Sequence, residues 1–101
     1  LYSSAASDVY KRQLQTFFAD YYRGETFVKA MPFESAPLLD HGFLPATACN
    51  DTDRAEIFVL GHADQILLAS RFDNLGKGAS GAAIQCMNLM LGLDEECGLV
   101  A

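Results

Sequence analysis

The stretch DNLGKGASGAAIQCMNLMLGL, residues 73–93, limits what this chain can fold into more than any other. It opens with three glycines, Gly76, Gly78 and Gly81, inside six residues. Residues 79–91 then read as helix: no proline interrupts them, and Gly92 stands where a helix end favours a left-handed residue. Ala79, Ala82, Ala83, Ile84, Cys86, Met87, Leu89, Met90 and Leu91 carry apolar surface most of the way round the cylinder. Such a helix needs neighbours on nearly every side. Gly81, Gln85, Asn88 and Gly92 break the apolar surface on one small, amide-bearing face. Two readings of that face stand side by side. In one, a glycine-softened loop enters a tightly packed helix, with Gln85 and Asn88 bonded to neighbouring backbone. In the other, the turn faces a ligand, and the amides of residues 76–78, the helix N-terminus and Lys77 sit beside an anion or a cofactor. The spacing is not the GxGxxG dinucleotide fingerprint.

The rest of the chain supplies what that helix leaves. Leu14, Phe17, Phe18, Tyr21 and Tyr22 recur at helical spacing, so residues 14–22 form an amphipathic helix with an aromatic core stripe, ended by Gly24. Residues 26–31 read as a strand closed by Pro32. Residues 31–46 hold all three prolines, Pro32, Pro37 and Pro45, and form a long loop carrying His41. Residues 55–60 and 65–71 read as a β-hairpin turned by residues 61–64, with apolar side chains on both faces and cover expected on both. The order is helix, strand, long loop, hairpin, helix: an α+β fold.

A chain of 101 residues is one small domain at most, and half of it is hydrophobic, which suits a globular fold. No apolar run reaches the roughly 18–20 residues of a membrane span. The net charge is −6, and the seven basic residues are scattered, so neither nucleic acid nor a membrane surface is an expected partner. Three cysteines, Cys49, Cys86 and Cys97, lack CxxC spacing and indicate free thiols in a reducing compartment, read as the cytoplasm. Cys49, beside Asn50, Asp51 and Asp53, lies among neighbours unlike those of a nucleophilic thiol and is read as structural; Cys86 is read as a packing residue. Neither His41 nor His62 has metal-ligand spacing, and no metal is expected. Residues 1–13, LYSSAASDVYKRQ, lack an apolar period and resemble translated adaptor sequence. They are set aside as extraneous, which makes residue 14 a start in mid-protein.

Residues 73–93 resemble the C-terminal signature of N-acetyl-γ-glutamyl-phosphate reductases. The likeness runs back through TACNDTDRAEIFVLGHADQILLASRF to FFADYYRGETFVKAMP, covering roughly residues 14–101, and is nearer to the shorter, second type of the family. Aspartate-semialdehyde dehydrogenases share a similar DNL-x-KGA turn but not the MNLMLGL that follows. The resemblance implies an α+β catalytic and dimerisation domain over residues 14–72. It implies that residues 73–101 return to a Rossmann-type NADP domain that is missing here, in a homo-oligomeric parent enzyme. It implies NADPH-dependent reduction of N-acetyl-glutamyl 5-phosphate to the semialdehyde, in arginine biosynthesis. The family's nucleophilic cysteine and its histidine stand in motifs that neither Cys49, Cys86, His41 nor His62 matches. No catalytic residue is therefore assigned, and the chain alone is expected to be inactive.

What carries over is part of a cofactor site. Asp73-Asn74 resembles the DN of glyceraldehyde-phosphate dehydrogenases, whose asparagine holds the nicotinamide carboxamide. Asn74 is the first candidate. Gly76, Lys77 and Gly78 follow as the turn passing NADP, and Gln85 comes after them. The alternative, from a different class, is a free-standing α+β interaction or small-ligand module that dimerises through its last helix.

Overall fold

A computed structural model describes residues 4–33, 42–62 and 65–101. His41 and Pro37 lie outside them. Helix α1 spans Ser4–Tyr21, strand β1 Val28–Ala30, β2 Ala55–His62, β3 Gln65–Phe72, and helix α2 Gly81–Leu91. A single π-helical turn, Gly76–Ser80, joins β3 to α2. The three strands form one mixed sheet in the order β1-β2-β3. β1 runs parallel to β2, with Val28 opposite Ala55 and Ala30 opposite Ile57; β2 runs antiparallel to β3, from Ala55 opposite Phe72 to His62 opposite Gln65. A parallel pair requires a long crossover, and residues 31–54 supply it. The α+β expectation holds.

Helix α1 begins ten residues earlier than the aromatic stripe indicates. Two of the added residues are cations over an aromatic ring: the Arg12 guanidinium lies 4.1 Å and the Lys11 ammonium 5.9 Å from the Phe33 ring centroid. An apolar pattern search is blind to that. Only part of the stripe is core, since Leu14, Phe18 and Tyr22 are half-buried while Phe17 and Tyr21 are exposed.

The hairpin forms where alternation places it, but β2 runs further toward the turn, into Gly61 and His62, while β3 starts at Gln65 as expected and runs on to Phe72. Gly61 has φ +124°, and a Cβ there would overlap the Gln65 carbonyl, so only glycine closes this end. The cover expected on both faces is missing over β3. Phe58 and Val59 on the central strand are buried, yet Ile66, Leu67, Leu68 and Phe72 are exposed. β2 is sheltered by its neighbours and by α1, whereas β3 is an edge strand met only in part by α1 and the π turn among the described residues.

Helix α2 starts two residues later than expected, and Gly92 ends it in the left-handed region at φ 69°. Its apolar surface is open: Met87, Leu89, Leu91 and especially Met90, 86% exposed, touch solvent. Cys86, expected to be packed, is also exposed, and Cys49 alone of the three thiols is buried. No helix is long and apolar enough to cross a membrane among the described residues.

Candidate functional site

The last residue of β3 hands the chain to Asp73, whose carboxylate organises the turn. Its Oδ1 accepts from the Leu75 amide and its Oδ2 from the Asp51 amide, both at 3.2 Å. Asp51 reaches it from a left-handed backbone, φ 59°, which short polar residues tolerate. The Gly78 amide then donates to the Asp73 carbonyl at 2.9 Å, that of Ser80 to Leu75 at 3.0 Å, and that of Gly81 to Gly76. Each bond spans five residues instead of four, which widens the helix by a residue; such π turns recur at functional sites.

The glycines are explained by what lies beside them. A Cβ on Gly76 would overlap the Thr52 carbonyl oxygen, and one on Gly81 would overlap the Asp53 carboxylate. Gly78 is tight against Phe72, whose ring edge would stand 3.2 Å from an added Cβ. The turn therefore lies directly on residues 52 and 53. Asp53 is held in turn by the C-terminal tail: its amide donates to the Val100 carbonyl at 2.6 Å, and its Oδ2 accepts from the Val100 amide at 2.9 Å.

The five candidate residues do not converge. Asn74 is exposed, and its carboxamide makes no hydrogen bond among the described residues. Lys77 and Gly78 line an open groove of about 450 Å³, floored by Val28, Ala55 and Ile57 and flanked by Tyr22, Ser70 and Phe72. The Lys77 ammonium stands 5.7 Å from the Phe27 ring centroid and donates to Gln85 Oε1 at 2.5 Å. Gln85 Nε2 donates to Glu95 Oε1 at 2.7 Å, so its amide is engaged at both ends within the chain. Asn88, 1% exposed, donates through Nδ2 to the Glu95 and Cys97 carbonyls at 3.0 and 2.9 Å. The amide-bearing face of α2 thus receives the folded-back tail; Asn88 bonds to backbone, as the first of the two sequence readings has it, whereas Gln85 bonds to the side chains of Lys77 and Glu95. Thr26 completes the fastening by donating to Glu96 at 2.8 Å.

One cluster escaped the sequence reading. Glu56 is buried on β2 and accepts from Arg54 Nε at 3.0 Å and from Arg71 Nε at 2.9 Å and Nη2 at 2.5 Å. Arg71 also donates to the Pro45 carbonyl and stacks over Phe58, and Arg54 donates to the Ala48 carbonyl. The cluster ties the loop before β2 to the sheet. Burial pushes the Glu56 carboxyl up, but hydrogen bonds from Arg71 and Arg54 outweigh it and hold the group below its ordinary 4.5. The signal was available: Glu56 and Arg71 face each other in the hairpin register, where opposite charges pair.

Asn74 is the candidate whose carboxamide, a group that both donates and accepts, has no partner among the described residues. The amides of Leu75, Gly78, Ser80 and Gly81 already have partners inside the turn, so they are not offered to phosphate. Among the described residues, no group of three or more His, Cys, Asp or Glu side chains is placed to hold a metal ion.

No protein-family model matches the chain. Curated proteins do. N-acetyl-gamma-glutamyl-phosphate reductase 2 of a Nostoc species is 51% identical over 90 residues, covering 86% of this chain and 28% of that protein. The N-acetyl-gamma-glutamyl-phosphate reductase of Trichormus variabilis is 49% identical over the same shares. That of a Janthinobacterium species is 38% identical over 100 residues, 99% of the chain and 28% of its own length. The chain therefore spans a little over a quarter of the relatives it matches.

Proposed function

We propose that this chain, a homologue of the N-acetyl-gamma-glutamyl-phosphate reductases over 86% of its length, works as the C-terminal segment of such an enzyme. The whole would reduce N-acetyl-glutamyl 5-phosphate to the 5-semialdehyde with NADPH, in arginine biosynthesis in the cytoplasm. The observation that carries the reading is the 51% identity with the Nostoc reductase. The open apolar surface of α2 supports it. A helix with Met87, Leu89, Met90 and Leu91 exposed is suited to docking on a nucleotide-binding domain contributed by the rest of such an enzyme.

In this reading NADPH, when bound, supplies the hydride. Asn74 would hold the nicotinamide carboxamide, since its own carboxamide both donates and accepts, and so would help to orient the ring. Gly76 and Gly78 belong to the turn that passes the cofactor, and their lack of side chains lets that turn lie against Thr52 and Phe72. Lys77, on the groove side, adds a positive charge close by. Gln85 acts behind Lys77, by holding its ammonium. The nucleophilic cysteine and the histidine acid/base belong to the remainder of the enzyme, so the chain by itself is inactive. Residues 1–13 have no part in the chemistry, residues 14–72 belong to the catalytic and dimerisation domain, and residues 73–101 to the nucleotide side.

The test is a graft in which this chain replaces its matching segment in the Nostoc reductase. The graft is expected to oxidise NADPH when given the acyl phosphate, and the isolated chain is not. A graft that folds as the Nostoc enzyme does, yet neither binds NADPH nor turns over, rules the reading out.

A further inference from the structure

Asp53 touches three parts of the molecule at once. Its carboxylate occupies the space a Cβ on Gly81 would need, and its Oδ1 would stand 3.2 Å from a Cβ on Gly76. The other oxygen, Oδ2, accepts from the Val100 amide, and the Asp53 backbone donates to the Val100 carbonyl. Two hydrogen bonds to one tail residue hold Asp53, one fixing its backbone and the other orienting its carboxylate. Thr52, next to it, brings its carbonyl up against Gly76. The π turn is thus seated on a fixed carboxylate and a fixed carbonyl, at the two glycines that begin and follow it.

We propose that Asp53 is the positioning residue of this turn: clamped by Val100, it sets the height at which Gly76 and Gly81 lie, and with them the place of the Asn74 carboxamide. The inference rests on the reading of Asn74 as the nicotinamide contact. Asp53 touches no cofactor itself. It acts through a turn that has lost its own side chains at the points of contact, so a displacement of the carboxylate is passed to the backbone directly. A mobile side chain in between would absorb it. Glycine at Gly76 and Gly81 therefore has two uses, since it admits the close approach and makes the seat rigid.

The experiment uses the complete grafted reductase, with NADPH binding followed by fluorescence and amide exchange followed at Gly78, Ser80 and Gly81. Asp53→Ala is expected to raise the Kd for NADPH about tenfold, the size of effect that follows from losing one or two well-placed hydrogen bonds. It should also speed exchange at the three amides and leave the KM for the acyl phosphate unchanged. Asp53→Asn, which keeps the shape and an oxygen for the Val100 amide, returns the Kd to near its native value. A residue that only stabilised the fold would lower the fraction of sites that titrate and leave the Kd alone; that result overturns the proposal. Gly81→Ala supplies a second variant, because the added methyl drives into the carboxylate. It should weaken NADPH in the native background and less beside Asp53→Ala, which takes away the carboxylate but leaves the Gly76 carbonyl oxygen 2.7 Å from the methyl. Additive effects overturn the proposal as well. Asn74→Ala separates the two levels: if it weakens NADPH and Asp53→Ala does not, the positioning role falls and the cofactor reading stands. If Asn74→Ala leaves NADPH binding unchanged, both fall.

Discussion

Glu56 is almost enclosed between two guanidinium groups, and it stabilises the fold only while ionised. Its folded pKa lies below the ordinary 4.5, so the contribution is present in full above that value and is lost as pH falls through the folded one. Urea midpoints of the chain should therefore be flat near neutrality and decline as pH drops below about 4.5, with the decline reduced in Glu56→Gln. Arg71→Ala leaves Glu56 buried beside a single exposed-side partner and frees the Pro45 carbonyl. Its cost should approach the roughly 3–5 kcal/mol of a broken buried pair, read from the same titration. An unchanged midpoint would mean that the loop carrying Pro45 is held by something else. Gly76→Ala is the complementary case, a loss caused by an added atom. The methyl meets the Thr52 backbone and cannot rotate away, so about 1–3 kcal/mol of destabilisation is expected, typical of overpacking.

Among the elements, α2 and β3 share a feature: both are apolar, and both face solvent in this chain. Substituting Met90 by Lys should change the stability of the chain itself by no more than about 0.5 kcal/mol, as at any exposed site. In the complete enzyme the same change should split α2 from its partner surface and cut NADPH turnover. Equal tolerance in both settings would sink the idea that this helix docks. The periodicities of α2, of the hairpin and of the aromatic stripe were legible because each records which side chains avoid water. Gly92 as a left-handed end was legible for a backbone reason. The extension of α1 through Arg12 was not, since a cation over Phe33 leaves no apolar trace. Nor was the seat of the glycine turn: residues 52 and 53 are over twenty positions away in sequence, and nothing in a glycine says which backbone approaches it. The same limit applied to Gln85 and Asn88, whose partners in the tail are fixed by tertiary folding alone.

As a whole the molecule is a thin, drawn-out slab. Its radius of gyration is 15.8 Å and its extents are 54 × 28 × 18 Å, where a compact chain of this length would have a radius of about 13 Å. So little is enclosed that Phe27, Cys49, Phe58 and Val59 are its buried apolar residues among those described. A slab of this kind should be sticky. Sedimentation of the isolated chain is expected to show concentration-dependent association, and the grafted reductase a single defined assembly. Removal of residues 1–13 offers a further check at this scale. If they lie outside the enzyme, the NADPH Kd of the graft will not move, although the lost Phe33 contacts should lower its melting temperature slightly.

The π turn has one more consequence, and it concerns phase. Each residue of a helix advances the direction of the next by about 100°, so a turn one residue too wide sets the angle at which everything after it points. Shortening Gly76–Ser80 by a single residue would let the segment relax into an ordinary α-helix without harming any residue of α2. It would also swing Asn88 out from under the tail and carry Met90 to a new bearing. Length, at this one place in the chain, is as heritable a determinant of the docking direction as the identity of any side chain on the helix.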